Sequence, residues 1–144
     1  MERWIGKPSA RCFLPLTPGL NRMRLLLAMS PTILLVIYAQ LVTKWRIGVL
    51  GSLMQDSPDR LARLFVYLKD PLIVTAYFAA LAGSVSWVFV VEKYDIAMAF
   101  PIYVGLTVLA MAVCGVVLFG ENVGVERALG IVLIVAGVAF VSRS

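Results

Sequence analysis

IAMAFPIYVGLTVLAMAVCGVVLFG, residues 96–120, runs from Asp95 to Glu121 without a single Asp, Glu, Lys or Arg. A helix needs about 20 mostly apolar residues to cross a hydrocarbon layer of about 30 Å, and this stretch has 25 uncharged ones. Its apolar residues are continuous, with no in/out alternation of period two, so the reading is a helix and not a barrel strand. Working outward, the same gap between charges recurs at residues 71–91, bounded by Asp70 and Glu92, and at 25–43, bounded by Arg24 and Lys44. A shorter apolar run, 128–141, follows Arg127. It crosses if it starts near Val123, with Glu126 and Arg127 at headgroup level and Arg127 snorkelling outward. The expectation is an all-α integral membrane bundle of four transmembrane helices, at about 25–43, 71–91, 96–120 and 123–141. These form one domain over 25–141 behind a basic irregular N-terminal tail, 1–24.

Composition agrees with a lipid solvent. Of 144 residues, 61% are hydrophobic and 15% charged, with a mean hydropathy of +0.93, against about 45–50% apolar and about 25% charged in soluble domains. There is no histidine, and the two cysteines, Cys12 and Cys114, fall in the tail and deep in the third span. No metal cluster, cofactor or disulfide framework is expected from them. The net charge of +5 reads as contact with anionic membrane lipids, and no basic-aromatic strip points to nucleic acid. The tail carries Arg3, Lys7, Arg11, Arg22 and Arg24 among Pro8, Pro15 and Pro18. Because the apolar run after it is longer than a signal-peptide core and continues into Lys44, an uncleaved anchor is expected. Lys and Arg divide seven to six between the two sides of the membrane, a weak bias towards both termini inside. Such balance suits either insertion in both orientations or orientation by a partner.

Residues 44–70 form the one long loop. In it Leu61, Leu64, Phe65 and Leu68 fall at helical spacing, while Arg60, Arg63 and Lys69 lie mostly elsewhere on the wheel. A short amphipathic helix on the membrane surface is one reading, a lead-in continuous with the second span the other. Pro71 argues for a break near Asp70.

Three constellations could carry function. In the third span Pro101 removes a backbone hydrogen bond and frees the carbonyl of Ala97, the kind of break found at transport sites. Beside it Phe100, Tyr103 and Leu106 share a face that suits an apolar or glycosyl group, unless the rings form an interfacial aromatic belt near Asp95. In the first span Gln40 and Lys44 lie four residues apart on one face. They suit a phosphate or other anion; alternatively Lys44 is a boundary lysine and Gln40 bonds a neighbouring helix. In the fourth, GIVLIVAGV (130–138) sets Gly130 and Gly137 on one face with Leu133 and Ile134. Small residues permit close helix approach, within the monomer or across a dimer interface.

No Asp or Glu lies inside any expected span, so a proton-coupled cation exporter would lack its carboxylate. Ser84, Ser86 and Thr107 come with no histidine or buried acid to act as base. The expectation is therefore not an enzyme.

Three blocks, IAMAFPIYVGLTVL (96–109), LFGE (118–121) and GIVLIVAGV, in that order after a first span ending at Lys44, resemble the drug/metabolite transporter superfamily in its four-helix, half-size (EamA-like) form. The resemblance covers roughly residues 31–141. Two branches compete. When the terminal lysine of the first span is matched to Lys44, the essential glutamate of the small multidrug resistance proteins falls on Val36. The AFP at 99–101 and the long first loop look more like the small flippase subunits that move aminoarabinose-linked undecaprenyl phosphate. The resemblance implies a homodimer or heterodimer in the cell inner membrane that translocates a lipid-linked sugar or similar amphiphile. Gln40, Lys44, Trp87, Phe100, Pro101 and Tyr103 would line the substrate path, and Gly130, Leu133, Ile134 and Gly137 the dimer interface. A drug exporter and a non-transporting subunit of an envelope glycosylation system are the alternatives.

Overall fold

A computed structural model describes residues 20–53 and 60–142. Most of the basic tail, with Cys12, lies outside the described residues. Five helices follow one another: α1 (Leu20–Leu53), α2 (Arg60–Lys69), α3 (Pro71–Lys93), α4 (Ile96–Phe119) and α5 (Val125–Val141). Three of them, α1, α3 and α4, are long and apolar enough to cross a membrane.

α1 departs most from expectation. It has 34 residues, about 51 Å at about 1.5 Å per residue, against the 25–43 expected. Lys44 and Arg46 end the uncharged run but not the helix, because a charged side chain leaves the backbone hydrogen bonds intact. At the other end the helix takes in residues 20–24, expected to be irregular; no proline follows Pro18 until Pro31. Pro31 lies inside α1 and cannot bond to the carbonyl of Leu27. The Ser30 hydroxyl donates to that carbonyl instead, at 2.8 Å.

α2 and α3 are separate helices, broken at Asp70 ahead of Pro71. Asp70 caps α3, accepting from the backbone N–H groups of Leu72 at 3.0 Å and Ile73 at 3.1 Å, with Pro71 in the first turn where its missing N–H costs nothing. α4 starts the same way at Asp95, which accepts from Ala97 N–H at 3.1 Å. It ends at Gly120, whose φ of +64° is the left-handed conformation that glycine adopts without strain.

α1 runs antiparallel to α3 and packs on it along most of its length, with α4 against α1 and α5 against α4. The core, Leu25, Met29, Val90, Ala99 and Ile102, gathers where the start of α1, the end of α3 and the start of α4 meet. Farther along, Tyr38 and Thr75 hydroxyls bond at 3.2 Å between α1 and α3. Glycines set the closest approaches. A Cβ at Gly83 would stand 3.4 Å from Val36 and 3.5 Å from Leu35, and one at Gly105 would stand 2.6 Å from a methyl of Val138 on α5.

The fourth expected span, 123–141, is not borne out as one: its helix, α5, is not among those long and apolar enough to cross a membrane. α5 has 17 residues and no buried one, about 26 Å of helix. A Cβ at Gly130 or Gly137 would meet nothing within 4 Å, so neither glycine is needed for packing within one copy. Substituting Gly105→Ala forces the stiff, β-branched Val138 to move and should cost about 1–3 kcal/mol as overpacking does. Gly137→Ala should leave a monomer's stability unchanged, and thermal unfolding in detergent compares the two.

Candidate functional site

Three of the residues expected to line a path come together. Trp87 of α3 stands 4.9 Å, centroid to centroid, from Tyr103 and 6.4 Å from Phe100 of α4, edge-on to the latter. Such separations are those at which aromatic rings attract through their edges and offset faces. Phe100 and Tyr103 are themselves 6.4 Å apart, one turn apart on α4. With Thr32 and Val36 of α1 and Gly83 and Ser84 of α3, the three rings line a cavity of about 260 Å³. Its lining holds no Asp, Glu, Lys or Arg. Gly83 lets α1 and α3 approach closely there, an added Cβ coming to van der Waals contact with Val36 and Leu35.

Pro101 lies on α4 next to Phe100, half-buried and outside this lining. Gln40 is exposed, and its side chain makes no hydrogen bond among the described residues. Lys44 is not joined to Gln40. Its ammonium pairs with the Glu121 carboxylate beyond the end of α4 and lies 4.6 Å over the Phe119 ring, a favourable cation–π distance. Glu121 in turn lies against Gly115, where an added Cβ would come within 2.9 Å of its carboxylate oxygen. The amide and ammonium expected to share an anion therefore separate into an exposed glutamine and a paired lysine. Thr32 to Lys44 is twelve residues of α1, about 18 Å, so the aromatic cavity and the Lys44 end are distinct places on one helix.

A second ion pair stands at that same end. Arg46 grips Asp70 with two nitrogens, Nε at 3.2 Å from Oδ1 and Nη2 on Oδ2, the bidentate form that fixes direction as well as charge. Since Asp70 also caps α3, one buried carboxylate ties the two helices and satisfies two otherwise bare N–H groups. Arg46 above all, with the N–H groups of Ile73 and Leu72, holds the Asp70 carboxyl below its ordinary value, burial working against them.

Thr32 and Gly83 were not named by sequence, while Val36, Ser84 and Glu121 were named but not expected at a site: Val36 as the position lacking a glutamate, Ser84 as a hydroxyl without a base, Glu121 as the boundary of a span. Glu121 could have been found: antiparallel crossings put the end of the first span and the end of the third on one side, where one lysine and one glutamate were each without an assigned partner. No family model, curated protein or solved structure matches this chain.

Because the folded state favours ionised Asp70, its contribution is present above the unfolded carboxyl value of about 4 and drains away as pH falls below that value. Unfolding in detergent should therefore show a loss of stability on acidification below about pH 4 that is smaller in Asp70→Asn. That variant should also be less stable than the parent at pH 7. The Lys44–Glu121 pair, with side chains 43% and 41% exposed, should add no more than about 1 kcal/mol.

Proposed function

We propose that this chain is a half-size membrane transporter that flips a lipid-linked sugar, or a similar polar-headed amphiphile, across the inner membrane as a dimer. The observation that carries the reading is the aromatic cavity between three helices of membrane-spanning length. Small-molecule sites are concave, mostly apolar and furnished with a few polar groups, and about 260 Å³ is room for one ring-sized group. Bilayer-depth cavities between interrupted helices are where transporters hold their cargo, and two of the lining helices, α1 and α4, contain a proline.

The passage would lead from the aromatic rings along α1, past Gln40, to Lys44. There an anionic headgroup would compete with Glu121 for the ammonium. Proton-coupled drug export is the weaker alternative, since Val36 lines the cavity where the resemblance puts that branch's glutamate, and no other carboxylate lines it. The open face of α5, with Gly130, Leu133, Ile134 and Gly137, would meet a second copy or a related half-size chain. In that assembly α5 completes a fourth crossing, its short length accommodated by Arg127 reaching the headgroups.

Protein reconstituted in liposomes should accelerate flipping of a fluorescent polyprenyl-phosphate sugar. Trp87→Ala should lower the rate about tenfold, the loss of a principal contact being worth about 1.4 kcal/mol, and Lys44→Ala should lower it severalfold. Full activity in both variants would remove the assignment of this path, and absence of flipping by the pure protein would favour a non-transporting subunit.

A further inference from the structure

We propose that α2 is an in-plane membrane anchor: its stripe of Leu61, Leu64, Phe65 and Leu68 lies in the interface of the leaflet that α3 enters at Pro71, and anionic headgroups meet its basic residues. The proposal needs α3 to cross the bilayer but does not depend on what, if anything, the protein transports.

α2 is a helix with little protein around it. It has 10 residues, a length at which an isolated helix is marginal in water. Among the described helices it packs appreciably only on α3, which it adjoins through the extended residue Asp70. Tyr67 makes the link. Its carbonyl accepts from the Asp70 N–H at 3.2 Å, and its hydroxyl lies beside the end of α1, where a Cβ on Gly51 would stand 3.8 Å from it. The four apolar residues recur at the spacing that sets them on one side of a helix, and the bundle does not cover that side: they are 44 to 66% exposed. A short helix whose apolar stripe is left open by its own chain is stable against another apolar surface.

Its place in the chain says which surface. The Arg46–Asp70 and Lys44–Glu121 pairs stand at the end of the bundle where α3 begins. Between those two cations Trp45 is exposed, an indole where interfacial aromatic belts hold one. Headgroup level therefore runs through the corner at Asp70, and Leu68 comes just before it. Charge decides between lipid and a second copy. α2 carries Arg60, Arg63 and Lys69 and no acid, and residues 44–70 hold five Lys or Arg against Asp56, Asp59 and Asp70, a net charge of +2. Two copies packed stripe to stripe would bring like charges together, whereas an anionic leaflet is complementary. Helices with an apolar face and a basic remainder lie at the boundary between headgroups and acyl chains. Held there, α2 fixes the depth of the Asp70 corner and with it the start of α3.

With Cys12 and Cys114 replaced by Ser, nitroxide spin labels can be placed one at a time. Leu61→Cys, Leu64→Cys, Phe65→Cys and Leu68→Cys sample the stripe, and Ala62→Cys and Val66→Cys the other side of α2. Phe78→Cys samples the outside of α3, where Phe78 is exposed. Collisions with oxygen, which concentrates in hydrocarbon, and with a neutral nickel chelate, which stays in water, are measured in vesicles of equal parts phosphatidylcholine and phosphatidylglycerol. The stripe labels and the Phe78→Cys label should favour oxygen severalfold more than those of Ala62→Cys and Val66→Cys. Pure phosphatidylcholine should raise the stripe's exposure to nickel. Stripe labels as open to nickel as those of Ala62→Cys and Val66→Cys, with Phe78→Cys still favouring oxygen, would overturn the anchor and leave α3 in the membrane. Stripe labels shielded from both reagents would overturn it too, since protein, a second copy included, would then cover the face. A Phe78→Cys label that favours nickel would remove the membrane reading and the anchor with it. A stripe unchanged in pure phosphatidylcholine would overturn the part given to anionic headgroups.

Discussion

α1 meets α3 along most of α3's length, and the meeting is fixed at both ends by different physics. At one end Arg46 holds Asp70 while Asp70 caps α3, so a single buried carboxylate joins the two helices and satisfies two N–H groups that would otherwise be bare. At the other, Leu25 and Met29 of α1 are buried with Val90 of α3 and Ala99 and Ile102 of α4. In hydrocarbon there is no hydrophobic effect to press helices together, so close backbone approach and fixed polar contacts must hold them. Gly83 supplies the first beside Val36, and Tyr38 with Thr75 supplies one of the second. Everything else is arranged around this pair: α4 packs on α1, α5 on α4, and the aromatic cavity is lined by residues of α1, α3 and α4 beside the core.

Charge and aromaticity occupy different parts of that frame. The described carboxylates, Asp70, Glu92, Asp95, Glu121 and Glu126, lie at helix ends or just beyond them. Two of them neutralise the cations that terminate the apolar part of α1. The cavity is left with rings, two hydroxyl-bearing side chains on α1 and α3, and the phenol of Tyr103.

Much of this was legible in the sequence, and the reasons are specific. Gaps between charges located α3 and α4 almost to the residue, because a proline after a capping aspartate and a glycine after the last apolar residue punctuate a chain in any solvent. The amphipathic spacing of Leu61, Leu64, Phe65 and Leu68 and the Asp70–Pro71 break likewise delimited α2. The same rule understated α1, since it measures the uncharged run and a helix continues through lysine and arginine. The grouping of Trp87 with Phe100 and Tyr103 needed the antiparallel register of α3 and α4, which periodicity within one segment does not contain. Lys44 was visible as the end of a span, but its partner lies 77 residues away, and the Gln40 side chain, grouped with it on one helix face, has none among the described residues. Thr32 was hidden for another reason: a hydroxyl in an apolar run ordinarily bonds its own backbone, and only coordinates show that this buried one does not.

The account depends on α3 crossing the bilayer and α4 bringing the chain back. With Cys12 and Cys114 replaced by Ser, a Lys69→Cys/Lys93→Cys pair and a Lys69→Cys/Asn122→Cys pair can each be exposed to a membrane-impermeant maleimide in sealed vesicles and weighed intact. Whatever the orientation of each molecule, the first pair should take one label per chain, and the second should take two or none. Two labels or none on the first pair would put both ends of α3 on one side and contradict the account.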